Sequence, residues 1–384
     1  MRTRVGIVGS GYISRGLTAA IEASPDMKVS RVLTRTPPGS RGDFPRAELL
    51  TTSLNELVDN SDVVVECSGS VVHATNAVDI ALGAGLPVVT MDAEMQVTTG
   101  SYFVGRGVFT EAEGDQPGCL AALAEEAVAM GFHPLVYGNV KGFLNLEPSP
   151  EDMTYWAARQ GISLDKCIAF TDGTKVQIEQ ALVANGLKAG IAADGLLSLS
   201  DHDLNNAAVQ LAAAASETGH SVSDFVVCPK APPGVFIVGT HQPEQQLYLR
   251  NFKLGDGPYY MLLRNFHLCH LEVGKTIRRV AQGNSPLLNN SRTPTVGVAA
   301  VTKRPLPSGY VIERAIGSFD TRGIAVRLAG NPRHVPIGLL NGAVAKRALE
   351  HGQLVTWDDV DIPESPALTA WRSIATRLNL ETLE

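Results

Sequence analysis

The first third of the chain alternates two hydrophobic rhythms. Arg4 to Val8 is a short apolar run of strand length, and after it Leu17, Ala20 and Ile21 recur at helical spacing. Met27 to Leu33 alternates apolar and polar positions as a strand does. Asp62 to Cys67 and Leu86 to Met91 read as buried strands. Between them Ala74, Ala77, Val78 and Ala81 fall on one helical face. Cys119 to Met130 reads as an alanine-rich helix and Pro134 to Tyr137 as a further strand. Strands alternating with helices predict one parallel sheet built by right-handed crossovers.

From about Gly142 the rhythm changes. Residues 153–161, 175–185 and 207–218 read as helices, and 235–239, 246–252 and 259–263 as strands of an antiparallel sheet. A Pro/Asn/Ser-rich stretch, Asn284 to Pro294, reads as a linker, and Val296 to Thr302 opens a unit rich in Gly and Pro. The expectation is an α/β chain in three parts. Residues 1–145 form an N-terminal Rossmann-type, doubly wound parallel sheet. Residues 146–294 form an α+β substrate domain, and 295–384 a small C-terminal β-rich unit with a tail.

The first strand ends in Gly9-Ser10-Gly11-Tyr12-Ile13-Ser14, followed by a helix. Gly9 permits the tight turn, Gly11 lets the backbone approach a pyrophosphate, and the helix N-terminus offers free N–H groups to that anion. Ser14 stands where a third glycine completes the fingerprint. Ligands sit at the carboxyl ends of parallel strands. This assigns the cofactor to Gly9, Gly11, Tyr12, Ile13, Thr34, Arg35, Ser68, Gly69, Asp92, Ala93 and Glu94. The second strand ends at Thr34-Arg35-Thr36, without the carboxylate that holds a ribose hydroxyl pair. A guanidinium there suits a 2′-phosphate and predicts NADP(H) over NAD(H).

Composition narrows the partners. A net charge of -7 with no basic run argues against nucleic acid. No apolar stretch approaches membrane-span length. The strand pattern begins at once, which predicts no leader segment. The five cysteines lack paired spacing and read as reduced thiols of a cytoplasmic protein.

Several motifs resemble one family. Val64-Val65-Glu66-Cys67-Ser68-Gly69 and Tyr137-Gly138-Asn139-Val140-Lys141-Gly142 resemble homoserine-dehydrogenase-type oxidoreductases. Gly114-Asp115-Gln116-Pro117-Gly118, Thr171-Asp172-Gly173-Thr174-Lys175 and Phe266-His267-Leu268-Cys269-His270-Leu271-Glu272 are similar to a branch that carries a C-terminal SAF domain. Lys303 to Gly309, Pro336 to Leu340 and Gly352 to Thr356 resemble that domain. His270 departs from the family pattern, which has a small residue there, and Asn139-Val140-Lys141 stands where a lysine-glycine pair is expected at the strand tip. The resemblance implies a reductase of a small polar carbonyl or hydroxy compound, and a homo-oligomer paired through the middle sheet. One kind in the branch is a 1-deoxyxylulose-5-phosphate reductoisomerase-like enzyme, which would add a divalent metal and a phosphate pocket. A non-catalytic sensor binding NADP and a carbohydrate is the reading from another class.

Hydride transfer to a carbonyl needs a proton donor near the oxygen that becomes negative. Lys175 is the first candidate, with Asp172 to orient substrate hydroxyls. The bland alternative is a helix-capping Asp beside a solvated Lys175–Glu179 pair. Lys141 is the second candidate, against the reading of a surface lysine. Thr174, Arg264 and His267 are candidate substrate contacts. His267, His270 and Glu272 alternate faces if their segment is a strand, a poor arrangement for a shared metal, and no metal site is assigned. Cys119 reads as a packed thiol, and Glu113 and Asp115 as supporting carboxylates.

Overall fold

The computed structural model describes residues 2–380. Its first sheet joins β1 (Thr3–Val8), β2 (Met27–Leu33), β3 (Leu50–Thr51), β4 (Val63–Glu66), β5 (Val88–Thr90) and β6 (Phe109–Glu111). The order is β3-β2-β1-β4-β5-β6, and every pairing is parallel. Helix α1 (Tyr12–Glu22) follows β1 and buries Leu17 and Ile21 against the sheet. Strand order reverses between β1 and β4, the point where open α/β sheets bind ligands.

The expected strand at Pro134–Tyr137 is longer and belongs elsewhere. It is β7 (His133–Lys141), and it lies in a second sheet with β8 (Leu199–Ser200), β9 (Val222–Val227), β10 (Gly234–Thr240) and β11 (Tyr260–Arg264). β7 runs parallel to β9 and antiparallel to β10, so this sheet is mixed. The first sheet therefore closes at Glu111, ahead of the expected boundary near residue 145. A hydrophobic run looks the same whichever sheet it joins, and the pattern alone could not assign it.

Alternation along β7 sorts its neighbours. Val136 and Val140 face helix Leu204–Thr218. Tyr137 points to the other side, towards helix Gln116–Ala129 and Val183 of helix Thr174–Gly186. Both faces of the sheet are thus helix-covered.

Residues 246–252 are not a strand. Pro243 opens a 3₁₀ turn that runs into helix Gln246–Asn251, where Leu247 and Tyr248 are exposed and Leu249 alone turns to the core. The segment Asn284 to Pro294 is not a free linker. Leu288 is buried, its carbonyl accepts from Glu111 N at 2.7 Å, and Asn290 Nδ2 donates to Ser101 Oγ at 3.1 Å. Just before it, helix Val273–Ala281 carries the chain back to the first sheet, with Val273, Ile277 and Val280 in the core of β1, β2 and α1.

The C-terminal unit contains β12 (Val296–Thr302), β13 (Val311–Ile312), β14 (Thr321–Arg327), β15 (Ala343–Ala345) and β16 (Val360–Asp361). β12 pairs with β14, and β15 lies between β13 and β16, all antiparallel. Helix Pro366–Leu378 ends the described chain. The core of this unit is continuous with Val176, Ile178 and Ala181 of helix Thr174–Gly186, and with Val71, Ala93 and Val97 of the first part. Among the described residues no helix is long and apolar enough to cross a membrane.

Candidate active site

The glycine turn has the geometry of a pyrophosphate cradle. Gly9 has φ +107°, and a Cβ there would lie 2.9 Å from Ser68 Cα, so only glycine fits without a shift. Gly11 caps α1, and a Cβ on it would meet nothing within 4 Å, leaving open space before the helix N-terminus. Tyr12 is exposed, and Ile13 is half-buried. Ser10 Oγ donates to Thr34 Oγ1 at 3.1 Å, and Arg41 Nη2 donates to the Ser10 carbonyl at 2.7 Å. Arg35 is exposed at the β2 tip. Ser68 N donates to Glu66 Oε1 at 2.7 Å, and Gly69 is left-handed at φ +65°. This turn, with a nucleotide-binding family match over it, fits a nicotinamide dinucleotide.

The β5 tip departs from the expected list. Asp92 is buried and caps the next turn, its Oδ1 accepting from Met95 N at 3.0 Å, and Ala93 is part of the core. Glu94 instead turns towards Lys175, whose Nζ lies 3.5 Å from each of its carboxylate oxygens and 3.5 Å from Asp115 Oδ2. Lys175 opens helix Thr174–Gly186, and its side chain is 13% exposed. Burial alone would lower its pKa. The charges of Asp115, Glu94, Glu179 and Asp92 outweigh burial and hold the ammonium well above its ordinary range. Burial would raise Glu94, but the Lys175 charge together with hydrogen bonds to the carboxylate outweighs that and holds the carboxyl below its usual value.

Lys141 belongs to the same cluster. Odd positions of β7 face the two catalytic-side helices, so Asn139 and Lys141 point alongside Tyr137. Lys141 Nζ donates to Gln116 Oε1 at 2.6 Å and to Glu179 Oε2 at 3.2 Å. Gln116 Nε2 donates to Asn139 Oδ1 at 2.9 Å, and Asn139 Nδ2 to Glu179 Oε2 at 3.0 Å, closing the network. Glu179 is buried, which pushes its pKa up against the pull of Lys141 and Lys175. Glu111 lies at the end of β6, fully buried, with no hydrogen-bond partner for either carboxylate oxygen among the described residues. Burial and the Asp115 charge push it well above the usual carboxylate range.

Sequence reasoning named Lys175, Lys141, Glu94 and Asp115, gave no role to Gln116, Asn139 and Glu111, and considered Glu179 only as the solvated partner of the bland alternative. A signal existed for Glu179: a carboxylate between Ile178 and Ala181, in a helix with no polar face.

Asp172 and Thr174 do not join the Lys175 cluster as expected. Asp172 is fully buried. Its Oδ1 accepts from Thr174 N at 2.9 Å and its Oδ2 from Lys303 Nζ at 2.8 Å, which leaves no face for substrate hydroxyls. Thr174 is also buried, and its Oγ1 accepts from Gly323 N at 3.0 Å. Arg264 is held by Glu113 at 2.9 Å and by Glu272, and it lies over the Phe266 ring, so it is a structural cation and not a free anion contact. His267 is half-buried outside any strand, 3.9 Å through Nδ1 from Cys269 Sγ, and the following residues form a 3₁₀ turn, Cys269–Leu271. Cys119 is buried. Its Sγ accepts from Gly114 N at 3.3 Å, and burial pushes the thiol up to about 12. Among the described residues no group of three or more His, Cys, Asp or Glu side chains has an arrangement to hold a metal ion.

Two family models match the chain. Residues 9–101 match the family model described as homoserine dehydrogenase, NAD binding domain. Residues 114–273 match the one described as oxidoreductase DRL, catalytic domain. The two matches together describe an NAD(P)-dependent oxidoreductase. The chain is 38% identical over 68 residues to the meso-diaminopimelate D-dehydrogenase of Lysinibacillus sphaericus, a match covering 17% of this chain and 21% of that protein. It is 36% identical over 70 residues to the enzyme of the same name from Ureibacillus thermosphaericus, covering 18% and 22%. The chain thus spans about a fifth of the length of these curated relatives. Among solved structures, the UDP-N-acetylglucosamine 3-dehydrogenase of Acidithiobacillus ferrooxidans aligns with TM-score 0.42 and 11% identity, over 76% of this chain and 92% of that one. A myo-inositol dehydrogenase of Corynebacterium glutamicum aligns with TM-score 0.40 and 15% identity, over 69% and 75%.

Proposed function

We propose that the chain moves a hydride between NADP(H) and the carbonyl or hydroxyl carbon of a small polar compound, with Lys175 as the cation at the reacting oxygen. The observation that carries this is the Lys175 ammonium, held charged between Glu94 of the nucleotide-binding part and Asp115 of the second. The nicotinamide, when bound, supplies or accepts the hydride.

The chain's own residues do the rest. Gly9, Gly11 and the N-terminus of α1 hold the pyrophosphate, and Arg35 with Arg41 takes the 2′-phosphate. Lys175 faces the oxygen that gains negative charge and stabilises it. An alkoxide is a stronger base than an amine, so transfer of the Lys175 proton to it runs downhill even with the raised pKa. Glu94 and Asp115 are 22% and 14% exposed and connect the lysine to solvent for its return to the charged form. Lys141, fixed by Gln116 and Glu179, lines the second side of the cleft.

The sugar-phosphate reductoisomerase reading has less support, because both lysines already face carboxylates and the cluster has little positive charge left for a phosphate dianion. A non-catalytic sensor has no use for a desolvated, charged lysine at the junction of the two parts. The C-terminal unit is read as SAF-like. The homo-oligomer is assigned to the β11 edge, where Leu263, Phe266, Leu268 and Leu271 are exposed. The five free thiols suit the reducing cytoplasm.

The test is loss of NADPH absorbance with a panel of aldehydes, ketones and sugar phosphates. Turnover of a non-phosphorylated carbonyl supports the reading. Tight NADPH binding with no turnover of any member returns the sensor, and turnover of a sugar phosphate alone returns the reductoisomerase.

A further inference from the structure

Lys141, at the end of β7, has one donor left over. Its Nζ gives one N–H to Gln116 Oε1 at 2.6 Å and a second to Glu179 Oε2 at 3.2 Å. An ammonium carries three N–H donors and no acceptor. Among the described residues nothing takes the third, and the Lys141 side chain is 19% exposed where that of Glu179 is 2%. The surroundings of the first two are fixed. A lysine can only donate, so Gln116 turns its oxygen to it and its Nε2 to Asn139 Oδ1, at 2.9 Å. Asn139 then has its Nδ2 to give, and gives it to Glu179 Oε2 at 3.0 Å, which closes a ring. Asn139 and Lys141 stand two apart on β7 and so share a face.

The ring meets the proposed reaction centre at two points. Gln116 follows Asp115, whose Oδ2 lies 3.5 Å from Lys175 Nζ. Glu179 lies one helical turn beyond Lys175, and its carboxyl feels the charges of both lysines.

We infer that Lys141 is a specificity-determining residue, whose third N–H reads a hydroxyl oxygen on the same molecule whose carbonyl faces Lys175. The inference rests on the proposed role of Lys175 and narrows its substrate to a hydroxylated carbonyl compound. Glu179 cancels the Lys141 charge, so the remaining donor suits a neutral oxygen and not a second anion. Gln116, Asn139 and Glu179 are positioning residues. They hold two corners of the ammonium and thereby aim the third. A carbonyl compound without the hydroxyl leaves that donor unmet and is disfavoured.

The experiment measures kcat/KM with NADPH for two matched pairs, glyceraldehyde against propionaldehyde and dihydroxyacetone against acetone. It uses the full chain as wild type, Lys141→Met, Gln116→Met and Lys175→Met, with folding checked by circular dichroism and by NADPH binding. Wild type should favour the hydroxylated member roughly 10–100-fold. Lys141→Met should bring that ratio to within a few-fold of one. Gln116→Met keeps the ammonium but frees it, and should narrow the ratio part-way. Loss of a merely structural lysine slows both members alike, so a folded Lys141→Met with the wild-type ratio overturns the inference. So does a wild type that does not favour the hydroxylated member, or that reduces other carbonyls and neither pair. A wild-type ratio in folded Gln116→Met overturns the positioning role of the ring. If Lys141→Met does not fold, Gln116→Met decides by the same ratio. Lys175→Met should slow both members of a pair alike. Near-normal turnover of both by Lys175→Met, or no turnover of any carbonyl by wild type, sinks the underlying reading instead.

Discussion

The His270 imidazole fills the space that a Cβ on Gly16 would occupy, with ring atoms 2.6 Å from that position. The nucleotide-binding helix thus lacks the third glycine of the usual fingerprint at Ser14, which is buried, and has one at Gly16 instead. That glycine admits a ring from the segment joining the second sheet to helix Val273–Ala281. His270, which departs from the family pattern, is therefore accommodated by a glycine on α1.

Gly16→Ala tests this contact. The added methyl must push the imidazole away, an overpacking defect of about 1–3 kcal/mol. Denaturant melts should show the loss. His270→Ala combined with Gly16→Ala should recover most of it, since the ring is the obstacle.

Lys175→Met should lower turnover roughly 10²–10⁴-fold, because the charge opposite the developing alkoxide is gone. NADPH affinity should change little, since the proposed role of the residue is at the reacting oxygen and not at the pyrophosphate turn. Steady-state kinetics with the best substrate of the carbonyl panel, beside fluorescence titration of NADPH, make the check. Near-normal turnover would move the role to Lys141.

Arg35→Ala should weaken NADPH by about 1.5–3 kcal/mol and leave NADH nearly unchanged. Equal loss for both cofactors would remove Arg35 from the 2′-phosphate site.

Cys119→Ser should keep kcat within about tenfold of wild type, since the buried thiol is held far from its reactive form and takes part in no covalent step. Mass spectrometry during turnover should find no adduct on Cys119.

His334 gives a pH dependence. It is buried against Trp371, its Nδ1 meets the Asn331 carbonyl at 2.8 Å, and burial pushes the imidazole down to about 4 from an ordinary 6.5. The unfolded chain binds this proton below pH 6.5, and the native one does not until about pH 4. Its stabilising effect is therefore full above 6.5 and lost as pH falls towards 4, by about 3 kcal/mol. Calorimetric melting from pH 7 to 4 should show a shallower fall for His334→Gln than for wild type.

The first sheet was legible because its chemistry is local. Gly9, Gly11 and the tip of β2 lie within one strand-turn-helix-strand unit, where spacing and period carry the signal. Lys175 and Lys141 were legible as candidates, but their partners were not. Glu179 entered only as a possible helix-surface mate of Lys175, since an i,i+4 pair looks the same whether a helix is exposed or enclosed. Asp172 read as a substrate contact because its partner, Lys303, lies in a different unit, and no sequence period links the two. Helix Gln246–Asn251 was mistaken for a strand because Leu247, Tyr248 and Leu249 form a short apolar run that fits either element.

Helix Val273–Ala281 has a consequence for how the protein is made. The core of β1, β2 and α1 includes Val273, Ile277 and Val280, so the nucleotide-binding half is written in two separated stretches of sequence. A ribosome adding residues at ordinary speed takes on the order of ten seconds to go from the end of helix Gln116–Ala129 to Val273. Throughout that interval the nascent first sheet exposes the apolar seat that this helix later fills. Synthesis cannot finish the first part before beginning the second, and an excised N-terminal fragment would keep that seat open. Such a fragment should bind chaperones and aggregate, while the complete chain closes both parts together.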